Sequence, residues 1–170
     1  LKLSDNQFLV VLNNSEMASW NKLTCEISFD PGYWNYQQIL AGQAWLPEPL
    51  ISQHVPQALN QQHINAISFD KGCYIGQEMV ARMKFLGKNK RATFLLTGQT
   101  AQLPKAGEDI EMQLGDNWCR AGTVVNAASQ LEHTALLAIL PKDVTADTNF
   151  RIKDSEDILT LTQLPYLIED

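Results

Sequence analysis

The sequence predicts an α+β chain whose second half is a small antiparallel β-barrel or sandwich. Two observations carry this. After about residue 88, six short strand-like segments follow one another, separated by turn signals at Pro104 and Gly107, at Gly115-Asp116-Asn117 and at Pro141-Lys142-Asp143. Before that point the texture differs: helix-type spacing alternates with a long Pro-, Gln- and Asn-rich stretch. A length of 170 residues can bury a core in one domain or two small ones. An apolar content of 45% excludes a disordered tail, and the longest unbroken apolar stretch, residues 135–140, is far too short to span a bilayer.

Each element has its own reason. Residues 7–12 (QFLVVL) read as a buried strand from their β-branched content and length. Ser15 is expected to cap a short helix running to Leu23, with Glu16 in its first turn. Asp30-Pro31-Gly32 is a turn signal, and residues 33–41 read as a helix, although Ile39-Leu40 would suit a strand as well. Pro47, Pro49 and Pro56 mark an irregular segment to about Asn65, and loops of that length are often functional. Residues 64–69 are a short strand candidate. Gly72 and Gly76 frame a tight turn, followed by a helix with Met79, Val80 and Met83 at helical spacing, Glu78 in the first turn and Gly87 as its stop. The strand candidates of the second half are residues 91–97, 109–114, 118–125, 134–140, 150–153 and 158–162, and Gly122 within one of them predicts a bulge or a barrel corner. The division expected is 1–87 and 88–170.

The net charge of −6 argues against a dedicated nucleic-acid binder. Its distribution says more. Lys71, Arg82, Lys84, Lys88, Lys90 and Arg91 against Glu78 alone make residues 71–91 net +5, and the rest of the chain net −11. Such a strip can hold an anion; the plain alternative is a solvated helix face. Cys25, Cys73 and Cys119 are odd in number and widely spaced, so no disulfide framework is expected and a reducing, cytoplasmic setting fits. No metal motif involves them or His54, His63 and His133.

Cys73 is the leading candidate for chemistry. It lies two residues after Lys71, between Gly72 and Gly76 and just before a helix, where amides and an ammonium favour the thiolate. The alternative is a small buried hydrophobe. Lys71 can meet an anionic ligand or be a solvated lysine; Glu78 can be a cap or a ligand contact, and Gln77 can bond within the same turn. Trp34 can offer a flat surface to a heterocycle such as a pterin, or pack in the core; Trp20, Trp45 and Trp118 share that ambiguity without a supporting motif. No P-loop, GxGxxG, HExxH or nucleophile elbow is present.

The run Lys71-Gly72-Cys73-Tyr74-Ile75-Gly76-Gln77-Glu78 resembles the KGCYxGQE signature of the YgfZ family, with seven fixed positions and one variable one. The resemblance extends to Trp34, Ala41-Gly42, Pro56-Gln57-Ala58, Ile67-Ser68-Phe69, Glu78-Met79-Val80-Ala81-Arg82, Asn89-Lys90-Arg91-Ala92 and Leu164-Pro165-Tyr166. The family is similar to the aminomethyltransferase (T-protein) of glycine cleavage. The resemblance therefore implies the C-terminal part of an aminomethyltransferase-like, folate-binding domain, followed by a small antiparallel β-barrel.

Cys73 corresponds to the signature cysteine. Lys71, Gly72, Tyr74, Gly76, Gln77 and Glu78 match the rest of the motif, and Trp34 matches a tryptophan lining the family's folate site. The first residue here is Leu1, without an initiator Met. An upstream half of the folate-binding region, carrying the second folate tryptophan, is therefore expected beyond this sequence.

Three functional readings follow. The resemblance implies a tetrahydrofolate-binding accessory protein for tRNA modification, acting with the iron–sulfur enzymes that methylthiolate tRNA and linked to DnaA and replication control. It also admits an aminomethyltransferase-type enzyme passing one-carbon units to tetrahydrofolate, for which a carboxylate near the substrate amine is needed; none is identifiable. The third is an RNA-binding module using the strip Arg82 to Arg91, ranked last for the acidic total and the lack of aromatic and basic interleaving. Strong direct tRNA binding is not expected, nor a membrane partner.

Overall fold

The computed structural model describes residues 2–4, 7–8, 10–20, 30–72, 75–85 and 89–168. Strands β1 (Lys2–Ser4) and β2 (Gln7–Phe8) pair antiparallel. The buried strand expected over residues 7–12 is not there: the described part holds strand only at Gln7–Phe8, and Phe8, Val10 and Val11 are exposed.

Helix α1 (Asn14–Trp20) is capped two residues earlier than expected, at Asn13 instead of Ser15. Asn13 Oδ1 accepts from the Glu16 amide at 3.0 Å while Glu16 Oε2 accepts from the Asn13 amide at 3.0 Å, a reciprocal capping box. Ser15 donates its hydroxyl proton to Asn13 Oδ1 and so supports the cap rather than forming it. The expected helix end at Leu23 lies outside the described residues, as does Cys25.

Helix α2 (Pro31–Leu40) resolves the helix-or-strand ambiguity. Asp30 is its N-cap, accepting from the Gly32 amide at 2.8 Å, and Pro31 supplies a pre-set φ at the first helical position. The expected turn at Asp30 is thus the start of the helix itself. Short 3-10 turns at Glu48–Leu50 and Pro56–Leu59 punctuate the irregular segment. The strand expected over residues 64–69 does not form; those residues are turn, bend and irregular backbone, and among the described residues no strand pairs with them. Helix α3 (Gln77–Phe85) starts after the Gly76 turn, with Glu78 in its first turn, while Gly87 lies outside the described residues.

All six strand candidates of the second half are present: β3 (Arg91–Gly98), β4 (Asp109–Leu114), β5 (Asn117–Gln130), β6 (His133–Pro141), β7 (Asn149–Ile152) and β8 (Leu159–Thr162). They close into an antiparallel barrel in the order β3-β6-β5-β4-β7-β8 rather than forming a sandwich. Closure comes from β8 returning to β3, with Leu95 opposite Thr162 and Gly98 opposite Leu159.

Strand β5 reaches 14 residues because two bulges bend it around the barrel. One lies opposite Ile110 and Glu111, where Gly122 and Arg120 pair and Ala121 is the extra residue. The bulge expected at Gly122 is therefore found, and a Cβ there would run into the Ile139 carbonyl oxygen.

Two apolar clusters divide the core. Leu96, Ile110, Val124, Leu136, Leu140, Phe150 and Leu159 fill the barrel. Leu95, Val125, Leu137 and Ile139 point outward, against Ile39 of α2 and Leu50, Leu59 and Leu164. Strand β6 is consequently buried on both faces, which is why it reads as a continuous apolar run rather than an alternating one. Each such large side chain contributes roughly 1.5–3 kcal/mol by leaving water. Among the described residues no helix is long and apolar enough to cross a membrane.

Candidate functional site

The signature loop is tied down from both sides. Gly76 has φ +90°, a conformation that a side chain would strain, and it forms the turn into α3. Gln77 Nε2 donates to the Lys71 carbonyl oxygen at 3.3 Å, joining the helix start to the residue that opens the loop. Two turns further on, the Lys84 ammonium lies 3.7 Å from the centroid of the Phe69 ring. The helix itself is anchored through buried Val80, whose carbonyl oxygen accepts from Gln57 Nε2 at 2.7 Å.

Beside this loop lies a cavity of about 890 Å³, within the range of small-molecule sites. Trp45, Leu46, His54, Ile67, Lys71 and Gly72 are among the residues that line it. Long-range hydrogen bonds hold these walls in place. The Trp45 amide donates to Asn126 Oδ1 at 3.1 Å, and Gln61 Nε2 donates to the Ala44 carbonyl oxygen at 3.0 Å. Asn126 faces outward because the second bulge of β5 falls between Val124 and Asn126. Partial burial, and secondarily the Arg91 guanidinium, hold the His54 pKa below its ordinary value, so the imidazole stays neutral at physiological pH. None of the described residues lining the cavity is a carboxylate. The chamber can thus take an apolar planar group, offer it a neutral imidazole and place an ammonium beside it.

A second hollow of about 600 Å³ at another part of the barrel is of different character, with Lys105, Glu108, Asp109 and Asp157 on its walls. Its carboxylates have structural work: Asp109 pairs with Arg120 at 2.8 Å, and Asp157 Oδ2 accepts from the Ala101 amide at 2.9 Å. Among the described residues no group of His, Cys, Asp and Glu could hold a metal ion.

Of the residues singled out in the sequence, Lys71 and Gly72 line the cavity, while Gly76 and Glu78 are exposed and Gln77 is half-buried. Cys73 and Tyr74 lie outside the described residues. Trp34, on α2, is 46% exposed and is not part of the cavity wall, so the structure does not bring it together with Lys71 there. Two wall residues, Trp45 and His54, carried no signal of their own in the sequence. The one local clue to Trp45 is its place in the Ala44-Trp45-Leu46 trio just ahead of the Pro-rich segment.

Residues 89–155 match the family model described as the YgfZ beta-barrel domain. The chain is 43% identical over 171 residues to the "tRNA-modifying protein YgfZ" of Aliivibrio fischeri (strain ATCC 700601 / ES114), a match covering 99% of this chain and 53% of that relative. It is 45% identical over 169 residues to the protein of the same name from Pectobacterium carotovorum subsp. carotovorum (strain PC1), covering 96% of this chain and 50% of the relative. The chain spans about half the length of the curated relatives it matches.

Proposed function

For a chain that carries the YgfZ β-barrel domain and is homologous along nearly its whole length to YgfZ proteins, we propose a role as a folate-binding accessory protein in tRNA modification. The observation that supports this most is the KGCYxGQE loop beside a carboxylate-free cavity with an aromatic wall. A folate is a flat heterocycle with an anionic tail, and apolar walls with Lys71 at the rim suit such a molecule. When bound, tetrahydrofolate would supply one-carbon chemistry. Of this chain's own residues, Lys71 would meet the anionic tail in the cavity, with Gly72, Tyr74, Gly76, Gln77 and Glu78 shaping the loop that presents Cys73, whereas Trp34, off the cavity wall, could stack on a folate only outside that cavity.

The working partners in this reading are iron–sulfur enzymes that modify tRNA, met in the reducing cytoplasm, with the barrel from about residue 88 as a separate unit of the fold. Cys73 is the residue on which the role depends. Replacing Cys73 with Ala in the protein in its host cells is expected to cut tRNA methylthiolation well below the wild-type level, measured on digested tRNA. Undiminished modification would remove the cysteine from the mechanism. The one-carbon transferase reading gains less support, because the described cavity residues offer no carboxylate to take a proton from a substrate amine.

A further inference from the structure

His54 belongs to two cavities at once. It walls the 890 Å³ chamber, and it also walls an adjoining recess of about 190 Å³ whose other residues include Arg91, Arg120 and Gly122. We propose that chamber and recess form one binding cleft for a planar heteroaromatic ring bearing an anionic tail, with Trp45 as the ring's wall and Arg91 as the tail's partner.

Charge is the first argument. The described linings of both cavities contain Lys71, Arg91 and Arg120 and no carboxylate. The chain as a whole is net −6, so the lining carries the opposite sign to the body around it. Arg120 is already answered by Asp109 at 2.8 Å. Arg91 is not: Nη1 donates to the Ala121 carbonyl oxygen at 3.0 Å, and no carboxylate pairs with the guanidinium among the described residues. A guanidinium fixed through one nitrogen keeps its remaining donors for an incoming anion.

Shape and polarity are the second. Trp45, Leu46, Pro56 and Ile67 give the larger chamber an apolar surface, and an indole is the best flat face for a heterocycle. His54 sits between the two parts. Its lowered pKa leaves one ring nitrogen to donate and the other to accept, which suits the edge of a heterocycle better than a second fixed charge would. Trp34 takes no part in this cleft.

The inference rests on the folate reading only for the choice of one probe. The 170-residue chain, labelled with 5-fluorotryptophan, gives fluorine resonances assignable by single Trp→Phe changes at its four tryptophans. It would be titrated with 5-formyltetrahydrofolate and, separately, with adenosine 5′-monophosphate, a heteroaromatic anion that is not a folate. The expected result is a saturable shift of the Trp45 resonance, with the Arg91→Gln variant binding about tenfold more weakly and losing most of the salt dependence. If the folate moves Trp34 alone, the cleft is wrong and the folate reading stands. If only the nucleotide moves Trp45, the cleft stands and the folate reading fails. If neither probe moves Trp45, the cleft is overturned.

Discussion

Asn60 shows how much one side chain can hold. Its backbone is left-handed, at φ 56°, and its side-chain amide completes the edge of β3 that β8 leaves open, the other edge being paired with β6. Pairing of β8 with β3 ends at Leu95, and beyond it Asn60 Nδ2 donates to the Thr93 carbonyl oxygen at 2.6 Å while Oδ1 accepts from the Thr93 amide at 3.2 Å. The side chain imitates the missing peptide group. Asn60→Ala would leave two buried backbone groups unpaired and force alanine into an unfavourable φ, so a loss of about 2–4 kcal/mol is expected. Urea denaturation checks this; an unchanged midpoint would mean that water replaces the amide without cost. His54 sets a pH dependence at the same scale. Burial, then Arg91, lower its folded pKa, so the unfolded chain binds the proton more readily. Stability therefore falls as pH drops from about 7 towards 5, through the window between the ordinary histidine value and the lowered one. In His54→Gln that part of the slope should vanish, and an unaltered slope in pH-dependent melting would assign it to other groups.

Among the elements, β5 and β6 decide whether the barrel closes. Strand β5 bends at two bulges, and the first brings Gly122 so near β6 that a methyl group would strike the Ile139 carbonyl oxygen. Gly122→Ala is expected to cost more than about 3 kcal/mol, because backbone rather than a flexible side chain would have to move. Gly115→Ala is the control. It lies in the β4–β5 turn at φ +59° with open space around its Cβ position, so backbone strain of about 1 kcal/mol is all that is expected. Equal midpoints for the two variants in thermal melting would show that the close approach at Gly122 is not what limits the fold. Helix α3 is a contrasting element. Val80 is its buried residue, and Gln57 supplies a side-chain bond from the 3-10 turn, so the helix behind the signature is lightly attached compared with the barrel strands.

At the scale of the molecule, the barrel is wrapped on one outer face. Ile39 of α2, with Leu50 and Leu59, covers Leu95, Val125, Leu137 and Ile139, and Tyr166 near the end of the chain returns to donate to the Gly42 carbonyl oxygen at 2.8 Å. A fragment of residues 89–168 should therefore expose that face. It is expected to bind a hydrophobic dye and to melt well below the whole chain. A fragment as stable as the whole, with no dye binding, would show that the outer cluster adds little to the barrel.

Strand positions in the second half were legible in the sequence because the signals are local: β-branched runs bounded by turn residues, and a glycine where a strand must bend. The same holds for the helix after Gly76, whereas Asp30-Pro31, which reads as a turn, proves to be the capped start of α2. What needed the tertiary structure was every feature set by distant partners. Barrel rather than sandwich follows from β8 meeting β3, a pairing between segments more than 60 residues apart, such as Leu95 with Thr162. Residues 7–12 and 64–69 have strand composition, yet the described part of the first is strand only at Gln7–Phe8, against the short β1, and the second forms none, because strand composition needs a partner edge and a covering layer to become a strand. Trp45, His54 and Lys71 share a cavity while Trp34 stands apart from it, and no spacing along the chain reveals that. Trp45 is held by Asn126 on the bulged strand β5, and the 3-10 turn that carries Pro56 is held to β3 by Asn60, contacts that join segments far apart in the chain.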